Sequence, residues 1–338
     1  MHSQSRIAKT HRQVSLRNTA IAKRFCHNHL IHQFHYLDEA LFTYNTVMST
    51  QPTPTYQSAA VLGHPDIIET AHEAGRIAEY LESKGIRAIH GSLNDDGIRK
   101  EIWAKKIDVV ITLGGDGTVL RAGHLCAPVN TPILAVNMGS LGFLIEVSPD
   151  EWKGAIDRLL AGDCWFEERM MLQTSLWRGE KKFYQLDVLN DAVIARGENL
   201  RPVHLRVSLD GLEVTTYVAD ALIVSTPTGS TAYALAAGGP ILPPNLRNIL
   251  LVPVAPHLSI DRGIVLAEGS TVSVTVLSDH GSVVSGDGQE SIALRQGDRV
   301  DVSASKYVTR LVRFQEVDYF YRNLVKLMDQ NPSAGTES

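Results

Sequence analysis

The residues best suited to chemistry form a glycine-rich turn, Gly114-Gly115-Asp116-Gly117-Thr118. An apolar, β-branched run over residues 108–113 predicts a buried strand before it, and a helix is predicted to follow. Backbone N–H groups and the helix dipole at such a turn favour phosphate binding. A carboxylate there is unfavourable unless Asp116 takes the proton of an attacking hydroxyl or holds a metal ion against phosphates. An ordinary Gly-Asp-Gly turn is the structural alternative.

The composition is that of a packed protein with about two domains. The chain has 338 residues, of which 44% are hydrophobic and 20% charged. The formal net charge of −5 argues against a nucleic-acid partner. We find no apolar run long enough to span a bilayer, so no membrane partner is expected. Cys26, Cys126 and Cys164 show no disulfide or metal spacing, which favours a reducing, cytoplasmic location.

Residues 1–55 differ from the rest of the chain because they are basic, poor in acidic residues and rich in histidine. This composition fits an organelle transit peptide, or an extension created by a start assigned upstream of Met48. The irregular spacing of the histidines makes a poor metal cage. We expect residues 1–55 to be a disordered or mis-annotated N-terminal extension, ending in a Pro- and Thr-rich linker.

Residues 56–150 alternate predicted strands and helices, which is typical of an α/β domain with a parallel, Rossmann-like sheet. Apolar runs predict strands at residues 58–62, 86–89, 108–113 and 132–136. Parallel sheets bind ligands where loops leave the carboxyl ends of their strands. The glycine turn and the glycine-containing loop 137–143 both follow strands, so we expect them to face one crevice.

Residues 151–316 carry short strand patterns separated by turn residues, which predict a mostly β domain. Predicted strands include 171–177 and 183–195, and Asp210-Gly211 marks a hairpin. Residues 317–330 predict a helix that returns to complete the first domain. The chain end beyond it is expected to be loose.

Two polar groups in this second domain are suited to binding a nucleotide. Asn190 and Asp191 interrupt a predicted strand, and they cannot share one face unless the chain bulges there. Both can accept a hydrogen bond from a sugar hydroxyl. The structural alternative is that the strand ends here and that Asn190 and Asp191 form an ordinary turn. Residues 225–233 end a strand in hydroxyl groups and begin a helix, where Tyr233 can stack on a ring.

Together these motifs resemble the bacterial-type NAD kinase family. The likeness includes the glycine turn, loop 137–143, Asn190-Asp191 and residues 226–233 with Gly238-Gly239-Pro240, and it extends over about residues 56–328. The first motif is shared with diacylglycerol and sphingosine kinases, and a close variant occurs in 6-phosphofructokinases. The run in the second domain is far more specific. The resemblance implies a two-domain NAD kinase fold, with a 6-phosphofructokinase-like α/β domain before the β-rich, NAD-binding domain.

The resemblance also implies a reaction, in which the terminal phosphate of ATP moves to the 2′-hydroxyl of the adenosine ribose of NAD to give NADP. Asp116 matches the proton acceptor. The positions that match NAD contacts are Asp116, Gly117, Asn190, Asp191, Arg201, Asp220, Thr231, Ala232, Tyr233, Ala234, Leu235, Ala236 and Gln289. Two positions depart from the family pattern, since Val218 stands where a basic residue is common and Ala221 where glycine is usual. The family likeness further implies a dimer or tetramer.

The expected cofactor is a divalent ion, Mg²⁺ or Mn²⁺, held largely by the phosphates of ATP rather than by a protein cluster. Two other functions compete with this interpretation. A lipid kinase would need an apolar acceptor pocket or a basic membrane-facing patch, against which the hydroxyl-rich run argues. A non-catalytic NAD-binding regulator would not need to keep Asp116. The sequence leaves open whether polyphosphate replaces ATP and whether NADH is accepted.

Overall fold

The computed structural model describes residues 56–316 except 66, 140, 141, 199, 258 and 259, together with 319–322 and 324. The expected N-terminal extension, residues 1–55, lies outside the described residues. Within the described part of the chain, no helix has the length and apolar character needed to cross a membrane.

The first half of the described chain alternates strands and helices, as the sequence predicts. Its elements are β1 (Ser58–Gly63), α1 (Ile68–Ser83), β2 (Arg87–Ser92), α2 (Asp96–Trp103), β3 (Val109–Gly114), α3 (Asp116–Cys126) and β4 (Ile133–Asn137). The four strands pair in parallel in the order β2-β1-β3-β4. A Rossmann-like parallel sheet is therefore present.

Strand β3 is buried along its whole length because helices cover both faces of this sheet. Val109, Ile111 and Leu113 pack with α1 and with α4, which spans Trp152–Ala161. The alternate residue Val110 packs on the opposite face with α2 and α3. Side chains of a strand alternate between faces, so an uninterrupted apolar run is what a doubly covered strand requires.

The second half is mostly β, as expected. After α4 come β5 (Trp165–Arg178), β6 (Lys181–Val188), β7 (Asp191–Arg196), β8 (Val203–Leu209), β9 (Leu212–Ala219), β10 (Ala221–Ser225), the short helix α5 (Tyr233–Ala236), β11 (Asn248–Val254), β12 (Ile264–Ala267), β13 (Val272–Val276), β14 (Ser282–Gly286), β15 (Ile292–Leu294) and β16 (Arg299–Arg313). Two 3₁₀ turns cover Ala127–Val129 and Thr228–Thr231. An antiparallel sheet runs β12-β11-β10-β7-β14-β15 through the described residues.

Strand β16 joins the two halves of the chain into one sheet. Leu311 of β16 pairs in parallel with Ile133 of β4, while most of β16 pairs antiparallel with β5. Ten described strands therefore share a sheet that changes from parallel to antiparallel across β16. The division of the chain into domains at residue 150 stays a prediction.

One expected strand is two strands in different sheets. The sequence predicts a continuous strand over residues 183–195, but β6 ends at Val188 in the ten-stranded sheet and β7 begins at Asp191 in the six-stranded sheet. The chain crosses between sheets at Leu189 and Asn190. Of the helix predicted over 317–330, residues 319–322 and 324 are helical, and the rest lies outside the described residues.

Candidate active site

Asp116 is the first residue of α3, and its carboxylate is bound by the loop that follows β4. The N–H of Phe143 donates to Oδ2 at 2.8 Å, and the N–H of Leu144 donates to Oδ1 at 3.1 Å. The two loops lie side by side because Gly114 pairs with Asn137 at the carboxyl ends of β3 and β4. The glycine turn and loop 137–143 therefore meet at one edge of the sheet, as the sequence predicts.

The loop can approach Asp116 because residue 142 is glycine. A Cβ at Gly142 would lie 2.0 Å from Oδ1 of Asp116, far inside van der Waals contact. Removal from water raises the pKa of the Asp116 carboxyl. The amides of Leu144 and Phe143 and the guanidinium groups of Arg313 and Arg169 oppose that rise without cancelling it.

Three strands of the antiparallel sheet bring the second-half motifs to one edge. Asp191 begins β7 and pairs with Ser225, the last residue of β10. On its other side β7 pairs with β14, and Ala192 of β7 lies opposite Gly286, the last residue of β14. The chain segments that follow β10 and β14 therefore leave the sheet beside Asn190 and Asp191. Antiparallel pairing alone produces this convergence, since one strand starts where its neighbours end.

Asp287 is the centre of this edge, and the sequence did not single it out as a site residue. Its carboxylate accepts from the N–H groups of Leu189 and Asn190 at 2.7 Å each and of Asp191 at 3.0 Å. His124 of α3 approaches Oδ2 of Asp287 at 2.6 Å through Nε2. Because a carboxylate only accepts, Nε2 carries the proton in this contact. Because these amides donate to Asp287 rather than to a neighbouring strand, the strand structure is interrupted between β6 and β7.

Gln289 is a predicted NAD contact, and in the structure its side chain lies beside α3. Its Nε2 atom is 2.8 Å from Nδ1 of His124, and Nδ1 accepts in this contact because an amide nitrogen only donates. Helix α3 thus carries Asp116 at its first turn and His124 eight residues later. The rise of an α-helix places these two positions about 12 Å apart along the axis.

The hydroxyl-rich run after β10 is fastened to the Leu189-Asn190 crossing. Thr226 donates from its backbone N–H to the carbonyl of Asn190 at 2.8 Å and from Oγ1 to that of Leu189 at 2.5 Å. Gly229 packs so closely that a Cβ there would lie 2.2 Å from the Asn190 carbonyl oxygen. Several hydroxyl groups of this run therefore donate hydrogen bonds to backbone carbonyls and stabilise the local structure.

The predicted contacts at residues 231–236 belong to this same run. Thr231 is buried at the end of the 3₁₀ turn, and Tyr233, which begins α5, is 45% exposed. Ala234 is buried in the core behind the run. The residues in this group are Thr231, Ala232, Tyr233, Ala234, Leu235 and Ala236. An exposed ring beside a buried hydroxyl is suited to stacking on a ligand.

Asp191 is a buried acid with acceptor capacity to spare. The residue is 4% exposed, and among the described residues no N–H or O–H group donates to its carboxylate. Burial first, and the charge of Asp287 second, raise the pKa of Asp191 to about 7. A carboxylate that receives no hydrogen bond from the protein can accept one from a ligand hydroxyl.

Asp220 and Arg201 are not brought to this edge within one chain. Asp220 precedes β10 and its Oδ1 is 3.2 Å from Nε of Arg196, the last residue of β7. Arg201 follows in the exposed connection to β8. Strand β10 separates Asp220 from the Asp191 edge, and its length corresponds to about 16 Å. Their assignment as NAD contacts stays a prediction.

Sequence reasoning also missed a buried charge cluster behind Asp116. Oε2 of Glu167 accepts from Arg169 at 2.8 Å and from Arg313 at 2.7 Å. Arg169 and Glu167 are two residues apart on β5, and Arg313 ends β16. Charged residues in an alternating strand pattern ordinarily predict an exposed face, so no local signal marks this cluster. Among the described residues, no three His, Cys, Asp or Glu side chains group together as a metal site.

The fold and the site define a class: a two-domain protein with a glycine turn suited to binding an anion and an acid at the head of the following helix. Two family models match, the ATP-NAD kinase N-terminal domain over residues 62–164 and the ATP-NAD kinase C-terminal domain over residues 189–314. The chain belongs to the NAD kinase family.

Similar proteins agree with this assignment. An NAD kinase from Chloroflexus aurantiacus is 40% identical over 269 residues, covering 80% of this chain and 97% of that protein. One from Moorella thermoacetica is 38% identical over 289 residues, covering 81% and 92%. Among solved structures, yeast NADH kinase complexed with NADH aligns with a TM-score of 0.73 at 24% identity, covering 84% and 91%. The NAD kinase from Archaeoglobus fulgidus in complex with ATP aligns at 0.64 and 23%, covering 80% and 98%. These two structures confirm the two-domain fold.

Proposed function

We propose that this chain transfers the terminal phosphate of ATP to the 2′-hydroxyl of the adenosine ribose of NAD, producing NADP. The observation that carries the proposal is the position of Asp116, at the head of a helix directly after a glycine turn and against a second loop. Membership of the NAD kinase family supports the choice of substrates. Without the family assignment, this geometry would support phosphoryl transfer but would not identify the substrates.

Asp116 acts in this proposal as the acceptor of the hydroxyl proton. Each carboxylate oxygen receives one amide N–H and keeps a lone pair for the ribose hydroxyl. In a loose transition state the proton leaves late, so Asp116 first orients the hydroxyl and then takes its proton. Backbone N–H groups of the glycine turn bind phosphate oxygens.

The carboxylate must be ionised to accept a proton. Because the pKa of Asp116 is raised, turnover is lost as pH falls through a value above the ordinary aspartate range.

The edge formed by β7, β10 and β14 holds the dinucleotide in this proposal. Asp191 supplies a buried acceptor for a sugar hydroxyl, and Tyr233, which is 45% exposed in the run that follows β10, supplies a ring for stacking. The N–H of Asn190 donates to Asp287, which fixes the Asn190 backbone just before β7. Arg201 and Asp220 are kept as proposed contacts to a more distant part of the dinucleotide.

A divalent ion, Mg²⁺ or Mn²⁺, enters with ATP in this proposal. Phosphate oxygens and water would supply most of its ligands, and the carboxylate of Asp116, at the head of α3 after the glycine turn, would hold water of its hydration shell. When bound, the ion neutralises charge on the phosphates. Addition of chelator should abolish NADP formation, and added Mg²⁺ or Mn²⁺ should restore it. Full activity in excess chelator would contradict this part.

We further propose a cytoplasmic homo-oligomer, either a dimer or a tetramer. Light scattering coupled to size-exclusion chromatography should give a mass of at least twice 37.1 kDa. Elution as a monomer at micromolar concentration would contradict the oligomer without affecting the reaction.

The test of function is formation of NADP by the purified chain. NAD and metal-ATP should give NADP, and parallel reactions with polyphosphate in place of ATP and NADH in place of NAD define the donor and acceptor range. Diacylglycerol is the control acceptor. Phosphorylation of diacylglycerol but not of NAD would favour the lipid kinase, and tight NAD binding without turnover would favour the regulator.

A further inference from the structure

We propose that Arg313 is a positioning residue for phosphoryl transfer, because its guanidinium fixes the backbone of Leu144, the residue whose N–H orients the Asp116 carboxylate. The inference rests on the proposed function and extends it to a residue that binds neither substrate. Arg313 is at the end of β16, almost two hundred positions after Asp116 in the chain.

The contact from Arg313 to Asp116 passes through one residue. Nη1 of Arg313 donates to the carbonyl of Leu144 at 2.8 Å, and the N–H of Leu144 donates to Oδ1 of Asp116 at 3.1 Å. The neighbouring N–H of Phe143 donates to the other carboxylate oxygen, Oδ2. Displacement of the Leu144 backbone would therefore rotate or release the carboxylate that faces the reacting hydroxyl.

Arg313 is itself immobilised by the buried cluster. Its Nε donates to Glu167 at 2.7 Å, and its guanidinium lies 5.2 Å from the ring centre of Tyr319. The side chains of Arg313, Glu167 and Arg169 are at most 6% exposed. Arginine stays charged in proteins, so movement of any member would leave a buried charge unpaired. The cluster thus has one strongly preferred arrangement.

A second arm of the cluster reaches the edge proposed to bind the dinucleotide. Nη1 of Arg169 donates to Oγ1 of Thr228 at 3.2 Å, within the 3₁₀ turn that precedes Tyr233. Both arms meet on Oε2 of Glu167. The cluster therefore fixes the spacing between Asp116 and the dinucleotide edge, which is the spacing between base and acceptor hydroxyl.

The decisive variant is Arg313→Lys, which keeps the positive charge but lacks the rigid planar fork whose Nε and Nη1 bond Glu167 and Leu144 separately. A displaced base should lower kcat roughly 10- to 100-fold while the KM values for NAD and ATP stay within about threefold. Hydrogen–deuterium exchange should also rise in peptides that contain Phe143 and Leu144. Wild-type kcat together with unchanged exchange there would overturn the proposal.

Arg178→Lys is the control, because Arg178 also makes two charged hydrogen bonds, both to Asp298 at 2.8 and 2.7 Å, and it lies at the end of β5 far from Arg169. It should leave kcat and exchange at residues 143 and 144 unchanged. An equal loss of kcat in this control would reduce Arg313 to a general stabilising role.

Thr228→Val tests the second arm without altering any charge, and it keeps the test open if Arg313→Lys does not fold. It should lower kcat roughly 3- to 10-fold with the KM for ATP unchanged, since one hydrogen bond to a charged group is lost. Unchanged kcat in Thr228→Val would overturn the claim that the cluster fixes this spacing. If the wild type itself forms no NADP, the proposed function fails; if the wild type is active and these variants match it, only the present inference fails.

Discussion

Replacing Asp191 by asparagine should make the protein more stable at alkaline pH while weakening NAD binding. Asp191 is 4% exposed, and burial together with Asp287 raises its pKa to about 7. A carboxyl whose folded pKa exceeds its unfolded value favours folding in its neutral form. That contribution is fully present below the unfolded pKa and is lost as pH rises through the folded pKa. Asparagine has the same shape and stays neutral throughout.

The size of the effect follows from the pKa difference. A rise from the ordinary value of 3.8 to about 7 is about 3 pKa units, and at 1.36 kcal/mol per unit this is about 4 kcal/mol. Between pH 4 and pH 8 the stability of Asp191→Asn relative to wild type should therefore increase by about 2–4 kcal/mol. For a chain of this size that corresponds to roughly 3–6 °C in Tm.

Thermal unfolding of both proteins at pH 4 and pH 8 measures this change, and calorimetry at pH 8 should show NAD affinity reduced about tenfold. Asp279→Asn is the control, since the Asp279 side chain is 88% exposed and should give no pH-dependent gain. A Tm difference between wild type and Asp191→Asn that is the same at both pH values would refute the reasoning.

Three further outcomes are expected. Gly142→Ala should lower kcat at least tenfold with the fold retained, because the new Cβ would collide with the Asp116 carboxylate. A near-normal kcat would show that catalysis does not require the observed position of this carboxylate. Tyr233→Ala should raise the KM for NAD several-fold more than the KM for ATP, and equal rises would move this ring to the donor side. Removal of residues 1–47 should change Tm by no more than a few degrees and leave NADP formation intact, and a large loss of either would show that the extension packs on the core.

The local part of the site could be predicted because its signals are short-range. A doubly buried strand, a glycine turn and a helix over residues 109–126 follow from adjacent residues, and the carboxyl-end rule then brings loop 137–143 beside Asp116. The partner amides on Phe143 and Leu144 were not predicted, because the absence of a side chain at Gly142 has meaning only once the loop is folded back.

The remaining part depends on contacts between distant positions. His124 and Asp287 meet across 163 residues, and Arg313 and Glu167 across 146. Nothing in the local pattern around Asp287 distinguishes it from an ordinary turn aspartate. The β6–β7 break was missed for the same reason, since the amides of residues 189–191 turn towards a carboxylate supplied from after β14. Strand β16 could not be placed between parallel and antiparallel partners from its sequence alone.

The central claim is that Asp116 accepts the proton of the NAD hydroxyl, and turnover of Asp116→Asn tests it most directly. Asparagine preserves shape but cannot accept a proton, so kcat should fall roughly 10²- to 10⁴-fold. Calorimetry should show near-normal NAD affinity and circular dichroism a wild-type fold. Extra Mg²⁺ or Mn²⁺ should not restore the rate, which separates a base from a metal ligand. A folded Asp116→Asn protein that keeps more than about a tenth of wild-type kcat, or regains it with added metal, would contradict the claim.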